Sequence, residues 1–516
     1  MVRSCASRRL QVRPVTFLLA AMHTGHLYEI PVLPAGCALW EPQLRTVANG
    51  YVRGALEYAA AAWLPAASES HVELLERELR AAARAITGCP AGTPRDPLMA
   101  EAGLAPVRVR RQVLAARLTC KASSLRENDP LRRVAERATS QRLSTTTGWR
   151  AVGAEALESA GAVGVPVEER LHVTIPPWVD RSRVHIRLGV PGAGRSAPDS
   201  QRRAAAEALL TTLPDQAIWI WSDGSAEGGV NNGGGGALIT LPSGRNSEIA
   251  VPAGRLCSST RAELVAMRAA LQAVLEPEED PSVPIVICTD SQAALATLDG
   301  GPGVQGTAMG ASIWRLLLQA SSGGRDIYLQ CVPAHCGLPG NEAADVLAKG
   351  ASNLPQDDTP VDVSSITRAV SRAASKAWRR RWPDSMFRRI MGDRRPRMPA
   401  PVLTDVRDDA VNVHQLRAGH WSRSRQYLHR IGRLPSPACQ QCPNLECPAA
   451  RCIVCREGPD TPEHVMLRCP CLAGVRLRLF GTIYPDPAQL RDGGAVAALG
   501  RGYLQHQEPL GGYGRP

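Results

Sequence analysis

Four acidic residues stand where one reaction could use them together. Asp223 closes the short apolar run Ile218-Trp219-Ile220-Trp221, and Asp290 closes the continuous run Pro284-Ile285-Val286-Ile287-Cys288-Thr289. Glu263 falls near the start of a stretch with helical spacing, and Asp345 follows Asn341 by one helical turn. Converging carboxylates repel one another and persist only where a cation neutralises them. Hard ions that prefer oxygen ligands and keep open positions, Mg²⁺ or Mn²⁺, fit that demand. Two such ions about 4 Å apart serve in-line hydrolysis of a phosphodiester. The residue types therefore predict a metal-dependent nuclease.

The elements that must position these acids are legible from pattern. Ile218–Trp221 reads as a buried strand stopped by Gly224 and Ser225, with Asp223 near its end. Gly233–Gly236 lead into a second strand, Ala237–Leu241, and Pro242-Ser243-Gly244 turns the chain into a third around Ile249-Ala250-Val251. Short turns between three strands predict an antiparallel meander. Ser258-Ser259-Thr260, with Glu263 three residues past Thr260, reads as a capping box opening a helix to about Leu275. Glu263, Met267 and Ala270 share one face of that helix, which turns the carboxylate towards the sheet. The run ending at Asp290 predicts a strand buried on both faces, and Ser291 caps a helix Gln292–Leu298. A strand Ile327–Val332 feeds the loop Pro333–Gly340, and a last helix begins near Asn341, with Asp345 inward if Ala344 and Leu347 face the core. In open α/β sheets, sites form at the carboxyl ends of strands, so the four acids can meet there.

At the level of whole motifs the stretch resembles a type I ribonuclease H domain. The order Ser222-Asp223-Gly224-Ser225, Arg261-Ala262-Glu263-Leu264, Thr289-Asp290-Ser291 and His335-Cys336-Gly337-Leu338-Pro339-Gly340-Asn341-Glu342-Ala343-Ala344-Asp345 carries the resemblance. It implies a ribonuclease H-like α/β fold, a mixed sheet with flanking helices, over residues 215–352. It also implies that Asp223, Glu263, Asp290 and Asp345 hold two Mg²⁺ or Mn²⁺ ions, that His335 assists proton transfer or product release, and that the substrate is an RNA·DNA hybrid cut on its RNA strand. After Leu298 the chain passes through Gly300-Gly301-Pro302-Gly303 without the basic helical extension of some members, so other segments must grip the hybrid. Cys336 beside His335 could be a nucleophile pair, but adjacent residues on one loop rarely align; Cys336, Cys331 and Cys288 read as ordinary thiols.

The remaining chain places this domain in a larger setting. Sixty basic against 48 acidic residues give a formal charge of +12, which favours a polyanionic partner over an acidic protein target, and aromatics at 4% exclude extensive base stacking. Of fifteen cysteines, seven crowd between Cys439 and Cys471 and the rest are scattered, which reads as a reducing compartment with a metal site and not as a disulfide framework. The run Val15–Met22, after Arg3, Arg8, Arg9 and Arg13, resembles a signal peptide weakly, but it is short and His23 follows, so it reads as a packed or cut-off segment; no stretch is apolar enough to span a membrane, and the expectation is an intracellular, nuclear protein without membrane contact. Residues 1–118 read as helical, with Val72, Leu75, Leu79, Ala82 and Ile86 on one face and Glu73, Glu76, Arg77 and Arg80 on the other. The words Leu56-Glu57-Tyr58-Ala59-Ala60-Ala61-Ala62-Trp63, Arg84-Ala85-Ile86-Thr87-Gly88 and Ala102-Gly103-Leu104-Ala105-Pro106 are similar to the region after the palm of non-LTR retrotransposon reverse transcriptases. The adjacent aspartates Asp357-Asp358 and Asp408-Asp409 sit among polar residues after the nuclease region, so the resemblance implies a 5′-truncated element product without polymerase activity.

Residues 119–214 read as linker-rich, with His172–Trp178 as an extended tether. A basic helical segment follows the nuclease region over 353–400, with Arg368, Arg372, Lys376, Arg379, Arg380, Arg381, Arg388, Arg389, Arg394, Arg395 and Arg397, a segment placed to touch phosphates. Trp378 and Trp382 form one helical stripe within it, read as core ahead of a stacking platform. Over 401–484, Cys452-Ile453-Val454-Cys455 with His464 and Cys469 can close a tetrahedral structural Zn²⁺ site, while Cys439, Cys442, Cys447 and Cys471 remain competing ligands. Leu416-Arg417-Ala418-Gly419-His420 and this cluster resemble the Cys-Cys-His-Cys end of non-LTR elements, which implies nucleic-acid binding. Residues 485–516 read as a tail. The alternative to a nuclease is a decayed remnant that binds nucleic acid through the basic segment and the zinc module without cutting.

Overall fold

Between Val184 and Ala351 the chain alternates strand and helix around one sheet, as seen in the computed structural model. Its strands are β1 (Val184–Arg187), β2 (Ile218–Glu227), β3 (Asn231–Thr240), β4 (Asn246–Leu256), β5 (Ile285–Thr289) and β6 (Ile327–Cys331). They lie in the order β1-β6-β5-β2-β3-β4. The predicted meander β2-β3-β4 is antiparallel, β5 joins β2 in parallel, and β6 and β1 continue in parallel outward. The helices are α1 (Asp199–Leu210), α2 (Ser259–Leu275), α3 (Gln292–Asp299), α4 (Ala308–Ser321) and α5 (Pro339–Ala351). The structure describes residues 41–137, 148–171, 174–192, 194, 196–275, 282–392, 406–432, 452, 454–455 and 457–505. Residues 1–40, His172, Val173, Arg394, Arg395, Arg397, Cys439, Cys442, Cys447 and 506–516, which carried expectations above, lie outside the described residues.

Side-chain alternation explains the layers. In β5, Ile285 and Ile287 join the core under α2 and α4, while Val286 and Cys288 join a second core with Ala206 of α1 and Leu338. All five residues of β5 are buried, as a strand covered on both faces requires. β2 repeats the alternation, with Ile218 and Ile220 towards the first core and Trp219 and Trp221 towards the second.

Two local expectations differ from what the glycines do. Gly224 and Ser225 do not stop β2, which runs on to Glu227. A Cβ on Gly224 would lie 2.2 Å from the Glu263 backbone nitrogen, so the residue is glycine because the first turn of α2 presses on the strand there. Likewise Gly233–Gly236 are not a lead-in but the middle of β3. Cβ atoms on Gly234 and Gly236 would meet the backbone of α5, and one on Gly235 the backbone of α2, so the bare strand lets a helix settle on each face.

The stretch read as linker, 119–214, contains helix Trp149–Ser159, β1 and α1. β1 is only four residues long and half-buried, which left little apolar pattern to read, yet it pairs along β6. Residues Gln112–Ala373 form one compact unit, and the described residues up to Arg111 with those from Ala374 form another.

In the second unit, helix Glu69–Thr87 is capped by Ser68 and ended by Gly88 at φ 64°. Val72, Leu79, Ala82 and Ile86 are buried as predicted, but so is Glu76, which takes the Arg108 backbone N–H at 3.2 Å. Helix Arg407–Arg417 and helix Gly493–Gln505 share a core that includes Leu416, Trp421, Val465, Val496 and Tyr503. Residues 487–505 are therefore packed structure and not a tail: Val496, Leu499 and Tyr503 anchor the last helix, and the Tyr503 hydroxyl donates to Asp460 at 2.6 Å. Trp378 and Trp382 meet edge to face at 5.3 Å, Trp378 Nε1 donates to Asp96, and Trp382 is buried, so the stripe is core. No helix among the described residues is long and apolar enough to cross a membrane.

Candidate functional site

Register brings the first two acids together. β2 and β5 run in parallel with Trp221 opposite Cys288, and the same register two residues further sets Asp223 beside Asp290. By strand alternation both point to the face that carries α5. Glu263 arrives from the opposite face, at the start of α2, over the bare Cα of Gly224. One ligand oxygen from each of Asp223, Glu263 and Asp290 lies within 4.8 Å of the others.

Each acid has a local reason for its pose. The Ser258 hydroxyl accepts the Arg261 backbone N–H at 3.2 Å and so caps α2. Glu263 therefore does not fold back to close the expected capping box; its carboxylate accepts the Thr289 hydroxyl at 3.3 Å instead. Asp223 accepts its neighbour's Gly224 N–H at 2.7 Å. Asp290 accepts the Asn341 amide at 3.3 Å, and Ser291 caps α3 as predicted. Asp345, on the second turn of α5, is held at 2.6 Å by Lys349. Thr289 and Asn341 are positioned at the acids, a role their types alone do not announce; a hydroxyl in the apolar run of β5 is the available signal.

The charges sit as repelling neighbours. Burial, with the Asp290 charge and then Asp345 adding to it, pushes the Asp223 carboxyl up to about 6. Burial followed by Asp223 and Asp290 raises Glu263 well above the usual carboxylate range, and burial raises Asp290 against the pull of Asn341 and His335. In the absence of a counter-ion such a group takes up protons; with a divalent cation among the three oxygens it has no need to. The donor set is all oxygen, which fits Mg²⁺ or Mn²⁺.

His335 stands exposed on the loop before α5, with φ 48° in the left-handed region that non-glycine residues rarely occupy. A ring nitrogen lies within 4.8 Å of oxygens of Glu342 and Asp345, so the histidine neighbours the fourth acid. Arg202 of α1 donates to the Ala334 carbonyl at 3.4 Å and so braces this loop from outside. Cys336 is buried with its Sγ towards the Pro333 carbonyl, and burial pushes Cys331 up to about 11, which leaves both as inert thiols.

The second cluster is sulfur-rich. One ligand atom from each of Cys452, Cys455, His464 and Cys469 lies within 4.8 Å of the others. Cys452 and Cys469 Sγ atoms are 3.9 Å apart, and Cys455 Sγ is 3.2 Å from His464 Nε2. A tetrahedron with zinc–sulfur bonds of about 2.3 Å has sulfur–sulfur edges of about 3.8 Å, so the spacing fits Zn²⁺. The Thr461 hydroxyl caps the turn that presents His464, and Gly458 leaves room for the imidazole. Cys471 is exposed and outside the four.

In the basic segment, helix Val363–Arg380 leaves Arg368, Lys376 and Arg380 exposed, with Arg381 just beyond it. Arg372 instead donates to the Gly228 carbonyl, Arg388 to the Trp382 carbonyl, and Arg389 pairs with Glu463. Of the adjacent aspartates, Asp357-Asp358 lie in a turn and Asp408-Asp409 in the first turn of a helix, and neither pair is on a strand.

Residues 215–353 match the model of the RNase H family, so the chain carries an RNase H domain that contains Asp223, Glu263, Asp290, His335 and Asp345. No curated protein matches the chain.

Proposed function

We propose that this chain is a divalent-metal-dependent endonuclease that hydrolyses the RNA strand of RNA·DNA hybrids. The observation that carries the reading is the meeting of Asp223, Glu263 and Asp290 within 4.8 Å, inside the span that matches the RNase H family. Asp223, Glu263 and Asp290, with Asp345 beside them, would hold two Mg²⁺ or Mn²⁺ ions, which would supply activation of the water and neutralisation of charge on the scissile phosphate. Thr289 and Asn341 fix the Glu263 and Asp290 carboxylates through the hydrogen bonds described above, so the ligands need no rearrangement. The water oxygen adds to phosphorus and gives up one proton to solvent, the bond to the 3′ oxygen breaks, and that oxygen takes up a proton that a ring nitrogen of His335 delivers from the rim and regains from solvent. Backbone groups around Asp223–Ser225 and the first turn of α2 read the 2′-hydroxyl.

Arg368, Lys376, Arg380 and Arg381 contribute phosphate contacts, and Cys452, Cys455, His464 and Cys469 bind a structural Zn²⁺ in a nucleic-acid-binding module. A retrotransposon origin is supported by the post-palm words near Leu56–Trp63 and by Leu416–His420. In the latter, Gly419 at φ 73° ends helix Arg407–Arg417 and Arg417 ties that helix to the Leu490 carbonyl.

Cleavage of a labelled RNA·DNA hybrid by the full chain in Mg²⁺, beside RNA and DNA duplexes and the Asp290→Asn variant, tests the reading. Hybrid-specific cutting that falls by a factor of about 10³ or more in the variant is expected, since one metal ligand is lost. Binding without cutting in either Mg²⁺ or Mn²⁺ overturns it and leaves a nucleic-acid-binding remnant.

A further inference from the structure

The segments on either side of the matched domain converge on one buried side chain, Arg261, two residues before Glu263. Positions 261 and 263 of a helix lie about 200° apart, so the two side chains leave α2 on nearly opposite faces. Glu263 points to the acids, and Arg261 points away from them. Its Nε donates to the Ala253 carbonyl of β4 at 3.1 Å. Its Nη1 meets Glu168 at 2.5 Å and lies 3.6 Å from Asp362, and its Nη2 donates to the Pro360 carbonyl at 2.6 Å. Arg261 is 6% exposed.

Glu168 and Asp362 both lie outside residues 215–353. They are brought together by a parallel bridge between Val167 and Val361, with the Glu168 N–H on the Val361 carbonyl and the Val361 N–H on the Pro166 carbonyl, each at 2.9 Å. Behind the bridge, Cys120, Ala162, Val165, Leu256, Val361 and Ile366 form a core of their own.

We propose that Glu168 and Asp362 are positioning residues for Glu263, acting through Arg261. The proposal rests on the reading of Glu263 as a metal ligand. The physical route is short. The first turn of α2 is pressed against β2 at Gly224, with no side chain between to set its height, and the Arg261 fork fixes that turn from the outer side through two anions and two carbonyls. A buried guanidinium left without its carboxylates is costly and draws away towards water. Any such movement carries the Glu263 carboxylate off the Asp223–Asp290 pair.

The test uses the full chain with Glu168→Gln, which keeps the side-chain volume and removes the charge. The expected result is unchanged KM for the hybrid, kcat lowered about ten- to a hundredfold as misplacement of a ligand by a fraction of an ångström produces, and a higher Mg²⁺ concentration at half-saturation. Glu168→Asp, which restores the charge, recovers most of both. Unchanged kcat and unchanged Mg²⁺ half-saturation in folded Glu168→Gln overturn the proposal, because a scaffold salt bridge would leave them so. Should Glu168→Gln fail to fold, Asp362→Asn, which removes the more distant anion, carries the same readout. If the unaltered chain does not cut hybrid at all, the nuclease reading fails, whereas Mg²⁺ half-saturation by calorimetry still decides whether Glu168 governs the metal site.

Discussion

At the scale of single residues, the site depends on a missing side chain as much as on the acids. Gly224 is the point at which Glu263 crosses from one face of the sheet to a site built on the other. Gly224→Ala places a methyl 2.2 Å from the Glu263 nitrogen. Overpacking of this kind costs about 1–3 kcal/mol. The variant is expected to lose that much stability in denaturant melts and to lose hybrid cleavage far more than proportionally, since α2 must lift. The acids themselves were legible because each ends an apolar run or opens a helical one. The glycine reads in the sequence as a strand stop, whereas β2 runs on to Glu227, because a sequence shows where a side chain is absent but not what occupies its place. Thr289 and Asn341 were passed over for a related reason: a lone hydroxyl or amide earns meaning only from the partner that tertiary structure brings.

At the scale of elements, β2 to β6 and the helices α2, α3 and α5 are readable from periodicity and turn chemistry, whereas β1, α1, α4 and helix Gly493–Gln505 are not. β1 offers four half-buried residues, and Gly493–Gln505 carries glycines that resemble loop composition. Both are stabilised by what they pack on, which local propensity does not record. The cysteine turn belongs to the same scale. Cys452 and Cys469 are buried in the core that Val465, Leu472 and Tyr503 share, so a Zn²⁺ held there as proposed would be part of that packing. Removing zinc with a zinc-selective chelator is expected to lower the melting temperature of the unit that holds it by 10 °C or more, roughly the loss of several kcal/mol. Hybrid cleavage measured below that transition, with Mg²⁺ kept in excess, is expected to survive.

At the scale of the whole molecule, the unit outside the nuclease is held across a long sequence gap by buried charge. His414 Nδ1 meets Glu101 at 2.7 Å and its Nε2 lies 3.2 Å from Glu41, with Arg45 against Glu41 as well. Burial pulls the His414 pKa down, but hydrogen bonds and charge from Glu101 and Glu41 outweigh it, and the pKa lies above its usual 6.5. Burial likewise opposes ionisation of Glu41, yet His414 and Arg45 prevail and hold it at about 2 against an ordinary 4.5. A raised histidine stabilises fully below pH 6.5 and loses that stabilisation as pH rises through the folded value. A depressed carboxyl stabilises above pH 4.5 and loses it as pH falls towards 2. Denaturation of this unit is therefore expected to show greatest stability between about pH 4.5 and 6.5, with decline on both sides. His414→Gln, which removes the cation shared by two buried carboxylates, is expected to cost about 3–5 kcal/mol near pH 6 and to flatten the alkaline limb. The measurement is urea melting from pH 2 to 9.

The division of the chain into one continuous unit and one assembled from two separated stretches has a consequence for birth on the ribosome. His414, the cation that Glu41 and Glu101 share, lies beyond Ala373, so the helices up to Arg111 emerge with that acid pair short of its common partner. At roughly 5–20 residues per second, the Gln112–Ala373 stretch keeps them waiting for on the order of tens of seconds. The nuclease unit can complete itself within that interval, while the earlier helices depend on chaperones or on their own solubility until the last helices arrive.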